Sequence, residues 1–376
     1  MRIGITMLSD DPSWGGIGIY TREIVRNLLA VDRDNEYVLI YPAFRSSDED
    51  TSWHANKYPN CREVRTRKSL RWTTYWDQVV VPPVARREKL DLLFNPFWSV
   101  PVFDKSYKKV LTVHGMDSQV LPKSLRLRGR IEWAIHSRLW VHRADAVISI
   151  SDMMSRDLEK YVHLDAGRIR RIYHGCAPHF QPIEDNAVLQ SARTQHGLPE
   201  KFILFVGMLF PQKNFHALVQ AFKLLADSIP HRLVVIGRLR WKYHRDLRLI
   251  ESSGLSKRVQ FLQHVPNDDL PAIYNLADCF VFPSLYEAFG LVGVEAMACG
   301  CPVAAARAGA LPEVLGDAAV FFDPNDVREM ARSISALIHD PELRAQCIRG
   351  GLERARNFTW ERTARETLKL FEELVR

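Results

Sequence analysis

The chain has 376 residues, of which 51 are Lys or Arg, 44 are Asp or Glu and 47% are hydrophobic. That length allows two domains or one large one, and 25% charged and 10% aromatic residues exclude disorder and collagen-like repeats. No uncharged apolar run approaches the roughly 18 residues a membrane span needs.

The opening stretch Arg2–Leu8 meets Asp10 and Asp11 at once. That is too short for a signal-peptide core, so it reads as a first β-strand of a cytoplasmic chain, or of one peripheral on the cytoplasmic face of a membrane. Residues 1–180 hold 28 Lys/Arg and 21 Asp/Glu, a net of +7, whereas residues 181–376 hold 23 of each. The excess points either to an acidic partner of the first half, such as an anionic membrane, an anionic acceptor or nucleic acid, or to a plain solvated surface. Of the six cysteines, none forms a C-x-x-C pair, and Cys299 and Cys301 have no second pair to complete a metal site, which fits reduced structural thiols.

Strand and helix patterns alternate along the chain, as in α/β proteins with parallel sheets. In the first half, strands are predicted at 2–8, 37–41, 92–94, 110–113 and 146–150. Helices are predicted near 18–31, 73–88, 124–142 and 151–161. Pro178, Pro182 and Glu184-Asp185-Asn186 read as a linker. The pattern then restarts, with strands at 201–207, 232–236, 259–262, 279–283 and 302–305. A helix over 214–227 carries Phe215, Leu218, Val219, Phe222 and Leu225 on one face. Two doubly wound domains joined by a linker place ligands at the carboxyl ends of their strands, with a cleft between the domains as the expected site.

Four segments carry chemistry. After the strand ending at Pro283, a loop bears Glu287, and a helix runs from Leu291 to Gly300. The amides of Phe289, Gly290 and Leu291 at that helix start suit an anion. Glu295, about one turn further in, suits neutral hydroxyls such as those of a ribose; acids at a helix start are also favoured without any ligand. Lys213, in Gly207-Met208-Leu209-Phe210-Pro211-Gln212-Lys213-Asn214, lies at a helix start where a cation is unfavourable unless it serves an anion. Gly15-Gly16-Ile17-Gly18 is a glycine loop before the first helix but not a dinucleotide fingerprint. His114, in Thr112-Val113-His114-Gly115, closes a buried strand.

The run from Pro283 to Val303, P-S-x-x-E-x-F-G-x-x-x-x-E-A-M-A-x-G-x-P-V, resembles the signature of glycosyltransferase family 4, retaining enzymes of the GT-B fold. The resemblance covers nearly the whole chain. It implies two Rossmann-like domains facing a central cleft. Residues 1–183 would bind the acceptor and 184–358 the nucleotide sugar, with a helix at 359–376 packing back on the first domain. It further implies that Glu295 holds the donor's ribose and Glu287 lies near its sugar. Lys213 would bind the phosphates, the Gly15–Gly16 loop would lie near donor and acceptor, and His114 would contact the sugar or the reacting region. Ala288 stands where many members have Gly, and Gly115 where some have Asp. Met208 stands where many have an Arg, for which Arg238 is a possible substitute. Ser149, Ser151 and Arg156, Tyr173-His174-Gly175 and Leu311-Pro312-Glu313 match softer, architectural elements of the family.

The expectation is a hexosyltransferase that uses a nucleoside diphosphate sugar, GDP-mannose ahead of UDP donors, with a glycan, lipid-linked or small-molecule acceptor and with neither metal nor further cofactor. Alternatives are an epimerase or phosphorylase on the same fold, or a nonenzymatic binding protein using the basic half. No aromatic-rich basic motif of a nucleic-acid reader is present. Residues 122–140 mix Lys123, Arg126, Arg128, Arg130 and Arg138 with Leu127, Ile131, Trp133, Ile135, Leu139 and Trp140. Such a helix either docks on anionic membrane or packs its apolar side inward.

Overall fold

A computed structural model describes the chain apart from residues 11–13, 43–57, 67–75, 98, 117–119, 121–138, 239–242 and 264. The chain forms two compact units, one built from Met1–Gln119, Leu125–Gly175 and Trp360–Arg376, the other from Val120–Ser124 and Cys176–Thr359.

The first unit rests on a seven-stranded parallel sheet: β1 Arg2–Thr6, β2 Glu36–Tyr41, β3 Cys61–Arg65, β4 Leu92–Asn95, β5 Lys108–Val113, β6 Ala146–Ser149 and β7 Ile169–Arg171, in the order β3-β2-β1-β4-β5-β6-β7. Its central strands are apolar on both faces, since helices cover both sides of a parallel sheet. Tyr37 to Tyr41 and Leu92 to Phe94 are wholly buried. The second unit has six parallel strands: β8 Phe202–Val206, β9 Arg232–Ile236, β10 Val259–Leu262, β11 Cys279–Phe282, β12 Val303–Ala306 and β13 Ala319–Phe322, in the order β10-β9-β8-β11-β12-β13. In both sheets the order reverses beside the first strand, between β1 and β4 and between β8 and β11. Loops leaving the carboxyl ends there diverge and open a crevice.

Four helices matter to the sites: α1 Gly16–Val31, α2 Phe215–Leu225, α3 Leu291–Ala298 and α4 Trp360–Val375. Helix α4 packs on the first unit, with Phe371 wholly buried and its ring 5.2 Å from Phe94. The Thr363 hydroxyl donates to the Tyr173 carbonyl at 2.8 Å. The outer face of α4 is charged, with Arg362–Glu366 and Arg365–Glu361 pairs one turn apart.

Several expectations are corrected. The first strand stops at Thr6 because the chain turns after Met7, whose amide still bonds the Ile40 carbonyl. Strands β3, β7 and β13 were not anticipated. All lie at or next to sheet edges, where one side stays wet and the apolar run is short or broken, as in Cys-Arg-Glu-Val-Arg. The helix expected over 73–88 is a wide turn, Trp76–Val80, followed by Val81–Arg87. Pro82 and Pro83 lack the amide that would continue a helix from upstream, yet fit its first turn. Asp185 is no linker residue. Its carboxylate caps the helix Asn186–Gln195 by accepting from Ala187 N at 2.8 Å.

The boundary expected at 183 falls at Gly175–Cys176. Residues 177–183 are already tied into the second unit, with Ile183 N donating to Asn275 Oδ1 at 2.9 Å and Asn275 Nδ2 to the Gln181 carbonyl at 3.0 Å. Of the basic segment 122–140, only exposed Leu139 and buried Trp140 lie within the described residues. Among the described residues, no helix is long and apolar enough to cross a membrane.

Phe371→Ala should leave a cavity over β4 and destabilise the first unit by about 3–5 kcal/mol. Chemical denaturation would show this as a lower midpoint, and an unchanged midpoint would mean that α4 contributes little to that core.

Candidate active site

In the second unit, Lys213 and Glu287 come together at the sheet's reversal point. Lys213 Nζ lies 2.5 Å from Glu287 Oε1, and the side chains are only 21% and 13% exposed, so water screens the pair weakly. Each loop is held independently. Leu285 N donates to the Gln212 carbonyl at 2.8 Å, joining the β11 loop to the turn Pro211–Lys213. Asn214 takes a left-handed conformation, φ 54°, and its Nδ2 donates to the Pro324 carbonyl at 2.8 Å. On the other side, Ala310 N donates to the Glu287 carbonyl at 2.8 Å. Gly309 packs so closely there that a Cβ would meet that carbonyl oxygen at 2.4 Å.

Gly290 turns the chain into α3 with φ 99°, and a Cβ on it would approach Leu311 at 2.7 Å. The helix starts with no side-chain cap; the Gly290 carbonyl accepts from Gly293 N, which leaves the amides of the first turn, from Leu291 on, pointing out of the helix end. The Phe289 ring is buried edge-on to Phe358 at 5.6 Å, so its side chain is turned into the core.

Glu295 lies on the inner face of α3, 5% exposed, with the Tyr274 hydroxyl donating to Oε2 at 3.4 Å. Burial pushes its carboxyl up to about 7. Arg238 is exposed at the end of β9, and its carbonyl accepts from Leu209 N at 3.1 Å, which places it beside Met208.

In the first unit, Gly15, Gly16 and His114 share the carboxyl edge of the sheet. Gly15, φ 58°, precedes α1, and a Cβ on Gly16 would meet nothing within 4 Å, so packing alone does not require glycine there. His114 Nε2 lies 2.7 Å from the Pro96 carbonyl. A carbonyl only accepts, so Nε2 carries the proton and the neutral ring offers Nδ1 as an acceptor. Burial lowers its conjugate acid to about 4.

Sequence reasoning missed the side chains around this imidazole. Tyr20 lies 4.7 Å away edge-on and His174 5.4 Å away, ring centre to ring centre. Pro96 is itself placed by Asn95, whose Oδ1 accepts from Phe97 N at 2.9 Å and whose Nδ2 lies 3.5 Å from the buried Asp77 carboxyl. Burial pushes Asp77 up to about 7. His174 stood in a segment read as a turn, and Tyr20 sits one turn beyond the glycine loop; neither shows its chemistry by spacing. Ser149 and Ser151 are architectural, with Ser151 Oγ capping a helix by accepting from Met154 N at 3.0 Å. Among the described residues, no cluster of three His, Cys, Asp or Glu is arranged to hold a metal ion.

Residues 189–354 match the family Glycosyl transferases group 1, and residues 14–180 match Glycosyltransferase Family 4. O-antigen chain mannosyltransferase B of Escherichia coli is 30% identical over 374 residues, 95% of each chain. Serotype-specific mannosyltransferase WbdA of the same organism is 34% identical over 240 residues, 62% of this chain but 29% of its own length, so the chain spans under a third of that relative. Among solved structures, Anabaena HepE in complex with UDP and glucose superposes with a TM-score of 0.76 at 20% identity, covering 99% of this chain and 100% of the other. The two parallel α/β units carry the GT-B fold, and the chain belongs to glycosyltransferase family 4.

Proposed function

We propose that the chain is a retaining, metal-independent hexosyltransferase that moves a sugar, mannose ahead of others, from a nucleoside diphosphate sugar to a hydroxyl of a glycan or lipid-linked acceptor. The observation that carries the reading is the Lys213–Glu287 pair beside the uncapped start of α3. The donor's pyrophosphate lies on the α3 amides and draws the Lys213 ammonium away from Glu287, so that cation and helix dipole together stabilise the leaving diphosphate. Glu287, freed from its partner, turns to the sugar hydroxyls. Glu295 receives the ribose hydroxyls, and Arg238 adds charge where Met208 has none. His114, neutral through the physiological range, accepts from a sugar hydroxyl through Nδ1.

In the transfer, the acceptor oxygen bonds to the anomeric carbon as the bond to the phosphate oxygen breaks on the same face, and the acceptor's proton passes to that phosphate. The mannosyltransferase relatives support mannose. The UDP and glucose held by HepE keep UDP donors in the comparison.

A panel of GDP-, UDP- and dTDP-sugars, scored by thermal shift and then by product formation with EDTA present, tests the reading. Transfer from GDP-mannose without added metal is expected. Strict restoration by Mg²⁺ or Mn²⁺, or epimerisation without acceptor, overturns it.

The ion pair gives a prediction of opposite signs. Glu287→Gln should tighten nucleoside diphosphate binding by removing Lys213's internal competitor, yet lower kcat by about a hundredfold. Lys213→Ala should weaken binding and turnover together, because it leaves an unpaired carboxylate facing the phosphates. Calorimetry with GDP and UDP decides, and equal affinity in wild type and Glu287→Gln removes the exchange.

Glu295 predicts a pH dependence. Its carboxyl is protonated below about 7 and accepts two ribose hydroxyls well only when ionised. Nucleotide affinity should therefore rise several-fold between about pH 6 and 8 in the wild type. Glu295→Gln should lack that rise and bind more weakly by about 1–3 kcal/mol. A wild-type profile identical to that of Glu295→Gln would take the residue out of the site.

A further inference from the structure

After Gly175 the chain passes from its first unit to its second, and after Thr359 it returns. The two crossings are tied to each other: Cys176 N donates to the Phe358 carbonyl at 2.9 Å, and Cys176 bridges Thr359 in parallel. The residues on the first-unit side of each crossing, His174 and Trp360, enter one cluster. Their rings are 5.8 Å apart and inclined at 30°. Tyr20 lies 4.7 Å from His174 and 5.9 Å from Trp360. All three are buried, and the Tyr20 hydroxyl hydrogen-bonds Thr112 Oγ1 at 2.9 Å, on the same strand that ends at His114.

Among the described residues, His114 has one hydrogen-bond partner, the Pro96 carbonyl. One bond leaves an imidazole free to swing about the Nε2···O axis. Flat neighbours on its faces and edge remove that freedom. Tyr20 and His174 touch His114 directly, and Trp360 backs both of them.

We propose that Tyr20, His174 and Trp360 are positioning residues for His114, fixing its ring plane so that Nδ1 meets the donor sugar. The proposal rests on the role given to His114 above. The crossings after Gly175 and Thr359 thereby end in the cluster that packs around that imidazole.

The cluster also keeps water out. The titratable groups facing His114 among the described residues are Tyr20 from α1 and His174. The Pro96 loop supplies a carbonyl, β5 supplies Thr112, and α4 supplies the uncharged Trp360 ring behind them. Among the described residues, no charged side chain faces the imidazole, and the neighbouring His174 is held neutral by burial and by His114 itself. Loosening the cluster lets water in, and the conjugate acid of His114 climbs from about 4 toward the ordinary 6.5. Nδ1 is then protonated and no longer accepts.

The test is a pH profile of kcat and KM, at saturating acceptor, for wild type, Trp360→Leu, Trp360→Phe and His114→Ala. Circular dichroism and nucleotide affinity control for folding. Trp360→Leu should lower kcat about tenfold with donor KM changed less than about twofold, since a small misplacement of a reacting group weighs on turnover. Its acid limb should move up by about one pH unit or more as the imidazole hydrates, and Trp360→Phe should restore both. A folded Trp360→Leu with wild-type kcat and acid limb overturns the proposal. If His114→Ala itself turns over like wild type, the fault lies with the role of His114 rather than with the cluster. Should Trp360→Leu not fold, Tyr20→Leu removes the ring that lies edge-on to His114. A kcat lowered about tenfold with a raised acid limb supports the proposal, and an unchanged kcat and acid limb in the folded variant overturn it.

Discussion

The ion pair between Lys213 and Glu287 is the contact on which the second unit's site depends. A lysine in the turn before α2 sits at the positive end of a helix, where its charge is unfavourable. Glu287 offsets that charge at 2.5 Å and holds the ammonium at the reversal point of the sheet. The same contact joins the loops that follow β8 and β11. In the proposed reading, an incoming diphosphate replaces one carboxylate partner of Lys213 with another anion instead of ordering a free side chain. Preorganisation of this kind lets a cation act on charge that develops late, at the leaving oxygen.

The parallel sheets decide why these two loops meet. Beside β8 the strand order turns back, so the loops after β8 and β11 leave in divergent directions from adjacent strands. The backbone locks at Gln212, Gly309 and Ala310 then fix how far the Glu287 loop reaches. In the first unit the same reversal, between β1 and β4, sets the glycine loop beside the Asn95–Phe97 loop. His114 follows on the next strand, β5.

What the sequence made legible follows from what is local. Glu287, Gly290 and Leu291 lie within one strand-loop-helix unit, so their spacing carried their placement, and the glycine needed at φ 99° was visible as Gly290. Lys213 was legible as a cation where a helix disfavours one. The central strands showed as unbroken apolar runs, because both faces are covered. The edge strand β3 did not, since half its residues face water. The pairing of Lys213 with Glu287, 74 residues apart, left no mark on either segment. Neither did the cluster of Tyr20, His114, His174 and Trp360, whose members meet only once α4 has packed on the first unit. The burial of Glu295 was not legible. Its neighbour Tyr274 comes from a helix that only the fold brings close.

Burial ties the two edges together in their energetics. Glu295 and Asp77 are held protonated up to about 7, where an unfolded chain would ionise them near 4.5 and 3.8. With folded values raised, both favour the folded state at low pH, and that contribution is lost as pH rises toward 7. His114 runs the other way. Its folded value of about 4 lies below the ordinary 6.5, so it costs nothing above 6.5 and disfavours folding progressively as pH falls toward 4. His174 acts with the same sign. Between about 4.5 and 6.5 the acids and the imidazoles therefore push stability in opposite directions and largely cancel in its slope. In the roles proposed for them the two groups do not cancel, since a carboxylate accepts ribose hydroxyls best when ionised and an imidazole accepts only when neutral.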